Sequence, residues 1–194
     1  MVPKYIVPRS IFAGALALLT LTVAVHAQSS SPLTGGAMMS AQQPSGPQVD
    51  VQRAYAGFKG NILKAADKMP ADSYSFKPTP DVRTFARVVN HVTEAQLRSC
   101  GAQNGTAPDT LPKVPPETAD KATIVAALQA SFAECDKAYA SLNDANLLDR
   151  ISLGQNTRAR ISLAWQNAAH DDEQYATLAL YLRLKGIVPP SSEK

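Results

Sequence analysis

Four prolines in one short stretch set the first limit on this chain. Pro108, Pro112, Pro115 and Pro116 lie between positions 104 and 118. Proline removes a backbone donor and clashes with the turn before it, so this stretch is not helical. On either side, apolar residues return at helical spacing. Phe85, Val88, Val89, Val92, Ala95 and Leu97 carry one helix to about Gln103, and Ile124, Leu128, Phe132, Cys135 and Tyr139 mark another over roughly 119–142. About fifteen extended residues reach ~50 Å, whereas a helix of about 20 residues is ~30 Å long. The connection is therefore long enough to return along a whole bundle and leave the two helices parallel.

Two more helices flank this pair. Val51, Tyr55, Phe58, Ile62, Ala65 and Met69 form an apolar stripe that ends at Pro70. Residues 72–77 read as a connection, and Thr79-Pro80-Asp81 supplies a capping hydroxyl, a first-turn proline and a first-turn carboxylate for the second helix. Residues 143–155 read as a turn. The fourth helix is expected from about Thr157, with Ile161, Leu163, Trp165, Ala168 and Ala169 before His170. Arg183 and Lys185 place positive charge in its last turn, Gly186 suits the left-handed position beyond it, and Pro189-Pro190 forbid continuation. The fold class expected is all-α, a four-helix bundle over residues 49–192.

The N-terminal region carries a different signal. Lys4 and Arg9 precede an apolar run at residues 11–25, and Val25-His26-Ala27 puts small residues where a signal peptidase reads. Residues 1–27 are expected to be a secretory signal peptide, which makes the product exported, periplasmic or secreted. The run falls short of the ~20 apolar residues a spanning helix needs, so no membrane span is expected. Residues 28–48, rich in Ser, Pro, Gly and Gln, are expected to form a flexible leader. Of 19 Lys and Arg, losing Lys4 and Arg9 leaves 17 against 16 Asp and Glu. That balance has no basic stripe of the kind nucleic-acid phosphates require, so no nucleic-acid partner is expected.

Export also places the two cysteines where a disulfide persists. With antiparallel second and third helices, Cys100 and Cys135 would be offset by ~20 Å at 1.5 Å per residue; with parallel helices the offset falls to ~6 Å. The parallel arrangement is favoured, as a bridge or as two buried thiols.

Three stretches carry a family resemblance: FKPTPDVRTFARVVNH at 76–91, FAECDKAYASL at 132–142, and HDDEQYATLALYLRLKGIVPPSS at 170–192. Together they resemble secreted members of the DinB-like superfamily, and the likeness spans most of residues 50–192. It implies an up-down-down-up bundle with a long crossover between helices two and three. It also implies a divalent metal (Zn, Ni or Fe) held by one histidine on the second helix and a His-(x3)-His pair on the fourth. His91 matches the first position and His170 the second, while Gln174 stands where the third histidine is expected.

Counted from the end they share in that topology, His91, His170 and Gln174 come level enough to converge. Two imidazoles and an amide oxygen make a three-point site with room for water, suited to Lewis-acid or water-activating chemistry. Glu94 and Glu173, each three residues after a histidine, are alternative donors. Three readings stay open: a metal-dependent hydrolase or thiol-linked transferase acting on a small molecule, a metal-free bundle that binds a small ligand or partner, and a purely structural exported domain. Homodimerisation through bundle faces is left open as well. Phosphate-binding loop, nucleophile-elbow, HExxH and CxxC motifs are absent.

Overall fold

The computed structural model describes residues 45–194. The expected signal peptide and residues 28–44 of the expected leader lie outside the described residues. Helix α1 spans Pro47–Lys68. It takes in the last two residues of the expected leader, because Pro47 has the φ and the missing donor that suit a first turn. Val51, Tyr55, Ile62, Ala65 and Met69 are buried along its expected stripe.

Helix α2 spans Phe85–Asn104, so the expected start at Thr79-Pro80-Asp81 is corrected by one turn and more. The cap is Thr84, whose hydroxyl accepts from the Arg87 amide at 3.0 Å. The later start has a tertiary cause. The Phe85 amide donates to the Phe76 carbonyl and the Ala86 amide to Tyr74, both at 2.9 Å, so the loop satisfies donors that a longer helix would have satisfied itself. At the far end Gly105 sits at φ 69° and the Thr106 amide closes onto the Gly101 carbonyl at 2.9 Å.

Residues 105–120 hold only a single 3-10 turn, Pro108–Thr110, before helix α3 at Lys121–Ala140. Asp120 caps α3 by accepting from the Thr123 amide at 2.8 Å. The expected turn through residue 155 and fourth-helix start at Thr157 need correction. Strands β1 (Arg150–Leu153) and β2 (Asn156–Ala159) form an antiparallel hairpin, and helix α4 starts at Arg160 and ends at Leu184. Among the described residues the all-α expectation therefore becomes a mostly helical fold of four α-helices plus one hairpin. Gly154 at φ 63° opens the two-residue hairpin turn, as a first central glycine does in turns that match strand twist.

Contacts fix which ends meet. Thr84 before α2 donates to Glu117 before α3, Ser131 donates to Gln96 at mid-helix (2.6 Å), and Asn104 at the end of α2 donates to Glu134 (2.8 Å). Cys100 and Cys135 are joined as a disulfide with Cα atoms 4.9 Å apart. Helix α4 meets α2 with opposite ends paired: Tyr181 donates to the Arg83 carbonyl (2.8 Å) and Arg160 to that of Gln103 (2.9 Å). Phe85, Val92, Ile124, Leu128, Phe132, Leu178 and Leu182 fill the space between the four helices. Trp165, expected to pack, is 43% exposed on the outer side of α4. No helix among the described residues is long and apolar enough to cross a membrane.

Candidate functional site

Helical spacing on α2 puts His91, Ala95 and Arg98 on one face at i, i+4 and i+7, with Ser99 beside them. On α4, Gln166 and Asn167 precede His170 by one turn. These two faces and Leu153 of the hairpin enclose a cavity of about 240 Å³. At its wall the two imidazoles meet: His91 Nε2 and His170 Nε2 are 3.2 Å apart, with the rings edge to face.

Both imidazoles are biased towards the neutral form. Burial lowers the His91 pKa first, and the Arg83 and Arg87 charges lower it further against the opposing pull of Glu94. For His170 burial again leads, followed by the His91 ring, with Glu173 opposing and Arg98 and Arg83 adding to the fall. The tautomers follow from the surroundings. Glu94 lies 3.8 Å from His91 Nδ1, beyond hydrogen-bond length, and the charge of this carboxylate favours the tautomer with the His91 proton on Nδ1 and a lone pair on Nε2. His170 Nε2 then carries the proton of the ring-to-ring hydrogen bond. His170 Nδ1, buried and without a partner among the described residues, keeps a lone pair.

The donor set can be tested against a divalent ion. Two nitrogens bound at about 2.0–2.1 Å to one ion lie roughly 2.8–3.0 Å apart in octahedral and roughly 3.3–3.4 Å apart in tetrahedral geometry, and the 3.2 Å separation falls between the two. Binding asks both Nε2 atoms for lone pairs, so the His170 proton must move to Nδ1, where no acceptor stands. Metal-bound histidines ordinarily donate from that second nitrogen, and its lack of a partner weakens the site. No cluster of three or more His, Cys, Asp or Glu side chains suited to a metal occurs among the described residues. The pair fits an ion as a weak, open site.

Gln174 lies one turn beyond His170 and is only 6% exposed. Its side chain makes no hydrogen bond within the described residues, so its amide is uncommitted. It does not line the histidine cavity. It faces a second depression, beyond the imidazoles along the same α2–α4 groove, with Arg83, Val88, Glu173 and Tyr181. The structure thus brings His91 and His170 together and sets Gln174 on the other flank of the pair. Glu94 is drawn away by a two-pronged ion pair with Arg87, both contacts at 3.0 Å.

Several residues of this region gave no motif. Arg98 lies seven residues after His91 on the same face of α2, and Leu153 arrives from the hairpin. Behind the cavity Asp171 is fully buried, and Gln96 donates to both its oxygens at 3.3 Å. Asn167 donates to it at 3.4 Å and to the Tyr139 hydroxyl at 3.3 Å, tying the cavity wall to the core. Burial pushes the Asp171 pKa up to about 7, partly offset by the Gln96 hydrogen bond.

The family model described as the DinB superfamily matches residues 58–178. Among solved structures, a DinB-like protein from Bacillus cereus ATCC 10987 is 14% identical with a TM-score of 0.58, covering 72% of this chain and 93% of its own. A DinB-like protein from Bacillus subtilis is 17% identical with a TM-score of 0.57, covering 75% and 99% respectively. At such identities these likenesses concern the fold alone. No curated protein matches the sequence. Since the family model spans well over half of the chain and takes in both histidines and both cysteines, this chain belongs to the DinB superfamily.

Proposed function

We propose that this chain is an exported DinB-superfamily domain whose α2–α4 groove holds a divalent ion (Zn, Ni or Fe) on His91 and His170, on the flank of the pair away from the cavity, where Gln174 serves as third donor. The small molecule it acts on occupies the adjoining cavity, in a hydrolytic or thiol-linked transfer reaction. The observation that carries this reading is the approach of two Nε2 atoms to 3.2 Å from helices that are not neighbours in sequence. An up-down-down-up order of the helices is part of the proposal; the like-end contacts of α2 with α3 and the opposite-end contacts of α2 with α4 support it.

When bound, such an ion supplies Lewis acidity or a water of lowered pKa. The chain's own residues do the rest. Burial and nearby arginines bias both imidazoles towards the neutral form, which is able to ligate. Asn167, held by Asp171 and Tyr139, fixes one wall, while Ala95 and Leu153 keep water from one side of the cavity. An amide donates less charge than a third imidazole, so binding is weaker than a three-histidine set gives.

A second reading, a metal-free bundle that binds a small ligand, is favoured by the unpartnered His170 Nδ1. Elemental analysis of the untagged mature protein separates the two. Stoichiometric metal in the wild type, lost in His170→Ala, is the expected result. Metal that appears only in Gln174→His assigns the natural chain to the metal-free reading.

A further inference from the structure

We infer that the cavity beside the histidine pair accepts a small organic carboxylate with an apolar substituent, anchored by Arg98. The inference rests on the reading above that this cavity is the functional site, but it does not need the ion.

The lining decides the charge of the ligand. No acidic side chain faces the cavity; Arg98, Ser99, Gln166 and Asn167 offer donors, and Ala95 and Leu153 offer apolar surface. Arg98 is exposed and has no carboxylate within ion-pair distance among the described residues, unlike Arg87, which is spent on Glu94. The cavity therefore carries one uncompensated positive charge, that of Arg98. A guanidinium fork matches a carboxylate with two parallel hydrogen bonds, an arrangement that a neutral amide or an ammonium ion does not reproduce. A single arginine matches one negative charge rather than a phosphate dianion. At about 240 Å³ the space lies below the range that holds drug-sized ligands, so the molecule is small. Its carboxylate end meets Arg98 and its apolar end meets Leu153 and Ala95.

The test uses the mature chain stripped of metal and kept in chelator, so that an unoccupied ion site and a failed ligand site give different results. The protein, labelled with ¹⁵N, is titrated with benzoate, with the neutral isostere benzamide and with inorganic phosphate. Benzoate is expected to shift the ring signals of His91 and His170 and the Arg98 Nε signal along one saturating curve. Benzamide and phosphate are expected to bind at least about 10-fold more weakly, since charge-assisted pairing is lost or the second charge is unmatched. Arg98→Gln, an exposed change that leaves the rest of the amide spectrum in place, should weaken benzoate about 10- to 100-fold, with partial recovery in Arg98→Lys. The inference is overturned if benzoate does not bind, if benzamide or phosphate matches it, or if Arg98→Gln leaves its affinity unchanged.

Discussion

Asp171 shows how one buried side chain can set a condition on the whole domain. Its nearest hydrogen-bonding partners, Gln96 and Asn167, are neutral amides, so the ionised carboxylate has hydrogen bonds but no counter-charge among them. Its pKa in the folded chain, about 7, lies above the ordinary 3.8. The protonated form is the one the fold favours, so its contribution is complete below pH 4 and is lost as the pH rises through 7. Asp171→Asn is thus expected to raise the melting temperature at pH 8, by on the order of a few kcal/mol in stability, and to change it little at pH 4. Thermal melts at the two pH values check this, and an equal effect at both would remove the charge explanation. His170, its neighbour, faces the opposite problem: its ring is biased towards the neutral form, and its Nδ1 is the position with nothing to pair with.

The four helices were legible in the sequence because each buries one stripe at a 3.6-residue period, and the stops at Gly105 and Gly186 carry the positive φ that glycine permits. The start of α2 was not legible, because Thr79 and Thr84 are both acceptable caps locally and the choice is made by amides pairing with carbonyls of Tyr74 and Phe76. Thr84→Ala is expected to cost about 1 kcal/mol in denaturant unfolding, while Thr79→Ala should cost almost nothing. Equal losses would restore the earlier start. The hairpin was hidden for another reason. Arg150 to Ala159 has only Ile151 and Leu153 as alternating apolar residues, too short a signal to separate from a turn, yet Leu153 closes one side of the cavity. Of the candidate site, the two histidines were legible from their levels along the bundle. Gln174 falls on the other flank of the pair because it lies a full turn beyond His170, facing Arg83 and Tyr181. Arg98 was not legible, since a lone arginine on an amphipathic helix has no motif.

For the molecule as a whole, the Cys100–Cys135 bridge joins helices separated by the proline-rich connection, across a sequence separation of 35 residues. Closing a loop of that size restricts the unfolded chain by about 4 kcal/mol on a chain-entropy model. A Cys100→Ser, Cys135→Ser double variant should lose stability of that order in urea unfolding, and a loss below about 1 kcal/mol would mean the helices are held by packing alone. The bridge also holds α2 in place against α3 about two and a half turns beyond His91, so the site is expected to depend on it. The groove on the opposite side of α2, towards α4, is where the two imidazoles meet. Whether that meeting is a binding site is most directly read by titrating Zn²⁺ into the mature protein labelled with ¹⁵N at histidine. A single equivalent should move both Nε2 resonances together and shift the His170 proton from Nε2 to Nδ1. Nε2 resonances that stay in place while zinc is added, with His170 still protonated at Nε2, would contradict a metal site on this pair.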